Sequence, residues 1–187
     1  HTLSLAGAWS PAAGIASPAV DFNWPSLGSS PHDKDLNPAG QEFAVTAVFR
    51  LVEDTSALPD TPNLVQKGLA GDAGQWKMQL LPGPASIQCR FKGTRTHYLL
   101  TSGVTGVDDG AWHTATWWRT GGVVGVTVDG VAVQHLVDVG DITNRRALHL
   151  GGKALTAATD QFPGVLDYVA VAIGPGAELA SRTAAPR

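Results

Sequence analysis

The chemically richest pattern in this chain is a period-two run of amides and cations: Gln75, Lys77 and Gln79, then Gln88, Arg90 and Lys92, with Pro82-Gly83-Pro84 turning between them. On two paired strands that spacing puts all six side chains on one face. Trp76, Met78, Leu80, Ile87, Cys89 and Phe91 then share the other face and enter a core. Amides orient hydroxyl groups, cations attract acidic groups, and an aromatic ring stacks on an apolar ring face. Thr116 and Trp118 lie on a strand whose place in the sheet the sequence does not fix, and they would add one ring to the row. Gln75, Lys77, Gln88, Arg90, Lys92 and Trp118 are therefore the expected ligand-binding residues, to be weighed against an ordinary solvated sheet face. Trp9, Trp24 and Tyr98 sit in turn-rich segments, where they either stack on a ligand or anchor the chain's first segment.

Catalytic chemistry has less to work with. Retaining glycoside hydrolysis needs an acid and a nucleophile about 5 Å apart, yet Glu42, Glu53 and Glu178 fall in three separate segments and no strand carries acids at alternate positions. Asp108 and Asp109 are adjacent in a turn and point two ways. Cys89 falls on the apolar side of its strand, where a thiol is inert, and no Gly-x-Ser-x-Gly elbow occurs. His113 follows Trp112 on the inward side of a central strand and reads as a hydrogen-bonded structural histidine. His32, His97, His135 and His149 lack metal-ligand spacing. No catalytic residue is expected, and the protein reads as a non-enzyme.

The elements that position these groups are strands. Residues 110–130 form an alternating hairpin with a Gly121-Gly122 turn, closed by Val128-Asp129-Gly130. Firm alternation also covers 43–51, 75–81, 86–92 and 164–173, with shorter strands at 63–68, 98–102, 131–135 and 147–151. Residues 1–40 carry Pro11, Pro18, Pro25, Pro31 and Pro38, which exclude a long helix. That region reads as short extended pieces, with a possible first strand at 19–22. Ten or more strands without a helical spacer predict an all-β, two-sheet antiparallel jelly-roll sandwich. The expected organisation is an extended arm over 1–18, one domain over 19–173 and a tail over 174–187.

Composition agrees with that architecture and narrows the partners. Of 187 residues, only 16% are charged and 43% hydrophobic, while Gly and Pro together number 34 (22 plus 12), as suits many strands joined by tight turns. The formal charge of −3 arises from 13 basic and 16 acidic residues without long blocks, so no nucleic-acid partner is expected. No apolar run approaches the ~18 residues of a membrane span. Cys89, the single cysteine, excludes an intrachain disulfide. The chain starts at His1 without a signal-peptide pattern and reads as a mature form, a fragment or an excised domain.

Taken in order, Phe43-Ala44-Val45-Thr46, Gln66-Lys67-Gly68, Trp112-His113, Val126-Thr127-Val128-Asp129-Gly130, Leu148-His149-Leu150-Gly151-Gly152 and Phe162-Pro163-Gly164-Val165-Leu166-Asp167-Tyr168 resemble a laminin-G-like, concanavalin A-type jelly roll. The wording is most similar to versions in actinobacterial secreted proteins and in minor tail proteins of phages infecting such hosts. The resemblance implies a non-catalytic recognition domain of a virion tail or a secreted, extracellular protein, whose partner is a cell-envelope glycan or another surface component. A structural or assembly module contacting other tail or surface chains is the alternative, and a glycoside hydrolase a more distant one. It further implies a possible Ca2+, for which Asp21 and Asp167 are the candidate ligands on paired terminal strands. Relatives often carry a second cysteine where this chain has Trp117, so the resemblance also implies that Trp117 and Cys89 are buried neighbours.

Overall fold

The structure is a computed structural model and describes residues 1–15, 18–51, 54–58, 60–156 and 160–179. Twelve strands run in chain order: β1 (Ser4–Ala13), β2 (Pro18–Ser30), β3 (Phe43–Arg50), β4 (Asn63–Lys67), β5 (Gln75–Leu81), β6 (Ser86–Lys92), β7 (His97–Thr101), β8 (Trp112–Thr120), β9 (Val123–Val128), β10 (Val131–Leu136), β11 (Leu148–Leu150) and β12 (Gly164–Ile173). One layer is β10-β9-β8-β3-β12 and the other β11-β4-β5-β6-β7, all antiparallel. The expected antiparallel sandwich is what forms.

The hairpins follow local chemistry. Asp129 (φ 49°) and Gly130 (φ 85°) form a two-residue loop between β9 and β10, and Gly121 (φ 56°) and Gly122 (φ 80°) form another between β8 and β9. Two successive left-handed residues match the twist of the flanking strands, which is why Asp-Gly and Gly-Gly recur at such loops.

β2 departs from the sequence expectation. Proline and glycine suggested a short strand at 19–22 followed by turns, yet β2 runs through Ser30 and serves both layers. Its first half pairs with β12 (Asp21 opposite Val165) and its second half with β11 (Ser29 opposite His149). β1, within the segment expected as an extended arm, pairs along β2 from Ser4 opposite Ser29 to Ala13 opposite Pro18. A proline needs no ladder donor where its strand is edged or bulged, and the β1–β2 register shifts between Gly7 and Trp9. Of the expected tail, only residues 174–179 are described; 180–187 lie outside the described residues.

Between the layers, Trp117 sits at the centre of an aromatic cluster, its ring 4.9 Å from Phe91, 5.5 Å from Phe43 and 5.9 Å from Trp76. Cys89 is in the same buried cluster, two residues before Phe91 on the same face of β6. The surrounding rings fill the space, and burial pushes the Cys89 thiol well above its usual value.

Two buried cations close the ends of this core. Lys67, fully buried, donates to Asn37 Oδ1 (3.0 Å), Asn144 Oδ1 (3.1 Å) and Asn144 O (3.3 Å), with His32 Nδ1 at 3.4 Å. Burial lowers its pKa to about 8, partly offset by Asp33. Arg119 lies over the Phe43 ring, and its guanidinium donates to the carbonyls of Ala39, Gln41 and Gly140. In both places backbone or amide oxygens do the work of a carboxylate.

Candidate functional site

β4, β5 and β6 bring the expected row together. Gln66 stands opposite Lys77, Lys77 opposite Arg90, Gln75 opposite Lys92 and Gln79 opposite Gln88. This face is less solvated than the alternation suggested: Gln75, Lys77 and Gln79 are 2%, 8% and 5% exposed. Gln88, Arg90 and Lys92 are half-buried. The cover comes from loops. Asp60, Leu69–Gly71, Lys153 and Asp160 rise beside the row and enclose with it a cavity of about 460 Å³, also lined by Gln66, Gln75, Lys77 and Arg90.

The polar groups of this face are joined into short chains, and two of its amide oxygens lack partners. Lys77 Nζ donates to Asn63 Oδ1 (3.1 Å), and Asn63 donates in turn to Gln66 Oε1 (3.0 Å). Gln79 donates to Gln88 (2.7 Å), which donates to Thr101 Oγ1 (3.0 Å). Gln75 Nε2 donates to Gly68 O (3.1 Å), and Lys92 reaches Ala70 O (2.7 Å). Gln75 Oε1 and Gln79 Oε1 are buried with no hydrogen-bond partner, whereas buried acceptors are ordinarily satisfied. Arg90 Nε donates to His97 Nε2 (3.0 Å), and burial together with Arg90 and Lys92 lowers the His97 pKa, keeping it an acceptor. The Lys77 pKa is lowered by burial; Asp160 and Asp60 oppose that shift, while Arg90 and Lys153 add to it.

Asp60, Lys153 and Asp160 were not singled out from the sequence. Asp160 pairs with Lys153, and Asp60 accepts from the Thr61 N–H (2.8 Å). A weak signal existed: Asp160 is a non-glycine residue at φ 66°, and aspartate is among the side chains that tolerate such a loop position.

Trp118 lies elsewhere. It is on the outer face of the opposite layer, 5% exposed, packed with Ala44 and Ala177. A Cβ on Gly125 would meet its ring at 2.2 Å, so the indole lies flat on that glycine. Thr116 beside it is buried and exchanges a hydrogen bond with Thr46 (2.8 Å). The row therefore contains no aromatic ring. Tyr98 is tied to His135, which joins β7 to β10 across the layers. Trp9 and Trp24 are exposed.

The acidic residues weighed for catalysis are occupied or apart. Asp108 accepts from the N–H (3.0 Å) and hydroxyl (2.9 Å) of Thr55. Asp109 and Asp129 flank His113 at 3.0 and 2.7 Å, one at each ring nitrogen. Only an imidazolium offers two donors. Burial opposes its charge, but hydrogen bonds to Asp129 and Asp109 outweigh that and raise its pKa. Glu42 accepts from the Gly176 N–H (2.9 Å), and Glu53 lies outside the described residues.

For calcium, Asp21 and Asp167 do fall on the paired strands β2 and β12. Asp167 Oδ2 already accepts the Ile15 N–H (2.9 Å). Among the described residues no three His, Cys, Asp or Glu side chains converge. Calcium takes about six to eight oxygens, backbone carbonyls among them, so Asp21 and Asp167 would supply part of such a set.

Against known proteins, the family model described as the concanavalin A-like lectin/glucanases superfamily, of laminin-G type, matches residues 28–172. No curated protein matches the chain in sequence. Among solved structures, it is similar to the LG4-5 domains of the mouse laminin alpha1 chain, with TM-score 0.56, 16% identity, and coverage of 75% of this chain and 41% of that one. It is also similar to the binding domain of botulinum neurotoxin serotype G, with TM-score 0.72, 10% identity, and coverage of 97% and 45%. Domain 4 of AbnA, a GH43 extracellular arabinanase from Geobacillus stearothermophilus solved in complex with arabinotriose, gives TM-score 0.66, 17% identity, and coverage of 92% and 82%. At these identities the likeness is one of fold, and this chain spans less than half of the laminin and neurotoxin chains. No helix among the described residues is long and apolar enough to cross a membrane.

Proposed function

This chain belongs to the concanavalin A-like lectin/glucanases superfamily, and from that premise we propose that it is a non-catalytic binding module that takes a hydroxyl-rich glycan into the cavity over β4, β5 and β6. The observation that carries this reading is the cavity itself: about 460 Å³, lined by Gln66, Gln75, Lys77, Arg90, Asp60 and Asp160. Its volume lies in the range of small-ligand sites, roughly 300–1,000 Å³. Amides, cations and carboxylates side by side match the alternating donors and acceptors of a sugar. The arabinotriose complex of AbnA domain 4 supports a glycan over other ligands. The finer reading is attachment to a cell-envelope component by a secreted or virion tail protein.

A glycan array and a pull-down on actinobacterial cells test it, using the chain and its Lys77→Met variant. Retention of a glycan class by the chain, weakened at least tenfold in the variant, is the expected result; an empty array with an empty pull-down would refute the reading. The assembly alternative draws support from β10, an edge strand with Val131 51% and Leu136 84% exposed. Sedimentation showing self-association lost in Leu136→Lys would favour it.

A further inference from the structure

Trp24 is 63% exposed and Trp9 40% exposed, although large aromatic rings are usually withdrawn from water. Both sit on the β1–β2 ribbon beside its register shift. Trp9 stands opposite Phe22, and Trp24 lies two residues beyond Phe22. Neither is needed to hold the ribbon, since β1 and β2 are joined by backbone pairing on both sides of the shift. Phe22 is 2% exposed and already supplies the buried anchor there.

The ribbon at this point touches the loop that walls the cavity. A Cβ on Gly7 would meet Pro25 O at 1.9 Å and the Leu155 side chain at 2.8 Å, so Leu155 packs directly over the ribbon between the two tryptophans' segments. Gln161 accepts from the Ser26 N–H (3.4 Å) and donates to Ala154 O (3.0 Å), binding the same loop to β2. Lys153 and Asp160, at the two ends of that loop, line the cavity. The tryptophans and the polar cavity therefore share one structural support.

We propose that Trp9 and Trp24 form a stacking subsite for a sugar ring of a glycan chain whose neighbouring residues extend toward the cavity. The ligand is accordingly an oligosaccharide or polysaccharide and not a single sugar. The inference rests on the glycan reading given above, to which it adds a second point of contact. A pyranose or furanose presents C–H groups on one face, which an indole covers, and hydroxyls at its rim. The cavity offers the complementary half, polar groups without a ring. A peptide or lipid partner would call for a continuous apolar patch, whereas the cavity on the same support is lined mostly by amides, cations and carboxylates.

Affinity for the array-selected polysaccharide and for its mono- and trisaccharide fragments is measured by titration for the chain, Trp24→Ala, Trp9→Ala and Lys77→Met. Circular dichroism and melting serve as controls, and sedimentation is run alongside. Trp24→Ala and Trp9→Ala are expected to weaken polymer binding at least fivefold while changing monosaccharide binding less than twofold. Polymer and trisaccharide should shield tryptophan fluorescence from acrylamide in the chain and not in a variant carrying both Trp9→Ala and Trp24→Ala. Unchanged polymer affinity in both tryptophan variants, with Lys77→Met still impaired, would overturn the subsite and leave the cavity reading standing. Absence of glycan binding by the unaltered chain would remove both. A dimer that Trp24→Ala converts to a monomer would overturn the subsite in favour of an interface between copies.

Discussion

Lys67 on β4 and Lys77 on β5 lie one residue apart in the ladder, since Lys67 pairs with Trp76, yet their surroundings differ in kind. Lys67 points between the layers and meets oxygens of Asn37 and Asn144 together with the His32 ring. Lys77 points outward and meets one amide oxygen, Asn63 Oδ1, at the edge of an open cavity. A buried ammonium supplied with acceptors is a structural tie; it fastens the segments around Asn37 and Asn144 to the sheet. A buried ammonium with one acceptor at the edge of a cavity keeps donors for another molecule's oxygens. The two cations teach that burial by itself does not separate framework from function. Between these two, the number of acceptors that each ammonium meets does.

The comparison breaks most directly by removing each charge. Lys67→Met strands the oxygens of Asn37 and Asn144 and is expected to cost ~3 kcal/mol of unfolding free energy, the range for breaking a buried charged network. Lys77→Met is expected to stay within ~1 kcal/mol of the parent, because it removes a poorly compensated charge. Urea denaturation of both variants decides the matter, and equal losses would erase the distinction.

A pH series sharpens the Lys67 side. Its folded pKa of about 8 lies below the ordinary 10.5, so between those values the unfolded chain holds more protons and stability rises with pH. Relative to Lys67→Met, the chain should gain up to ~2 kcal/mol from pH 8 to 10.5, read from urea midpoints. A flat difference would contradict the buried ammonium.

His113 should show the opposite slope. Its folded pKa is raised above 6.5, so its stabilisation is full below that value and fades as pH climbs through the folded one. His113→Gln is expected to cost ~1–2 kcal/mol at pH 5.5 and less at pH 8.5. Melting curves at the two pH values test the sign. The smallest effect is expected from calcium: with Asp21 and Asp167 as the candidate carboxylates, millimolar Ca2+ or its chelation should move the melting temperature by less than ~1 °C. A shift of several degrees, abolished in Asp167→Asn, would establish a calcium site there.

Much of this was legible in the residues. β5, β6 and β12 keep the bounds that their patterns predict, and in β5 and β6 slippage by one would turn Trp76, Met78, Ile87 and Phe91 out of the core. The row through Gln75, Lys77, Gln88 and Arg90 was legible for the same reason. Its cover was not. Asp60 and Asp160 reach Lys77 through loops about a hundred positions apart, and no local periodicity encodes that meeting. Trp118 looked like a candidate ring because both faces of β8 are buried, one by the core and one by Ala44, Gly125 and Ala177, which alternation alone cannot tell from solvent. β2 is longer than the prolines of residues 1–40 suggest, since Pro25 lies where the β1–β2 register shifts and a bulge tolerates it.

Because β2 serves both layers, its docking is also a matter of timing during synthesis. Its partner in β11 begins 118 residues after Ser30 (148 minus 30), and its partner in β12 is later still. At translation speeds of about 5–20 residues per second, the β1–β2 ribbon waits on the order of ten seconds for these partners. A two-stranded ribbon is marginal in water, so β1 and β2 stay in reserve until β11 and β12 emerge.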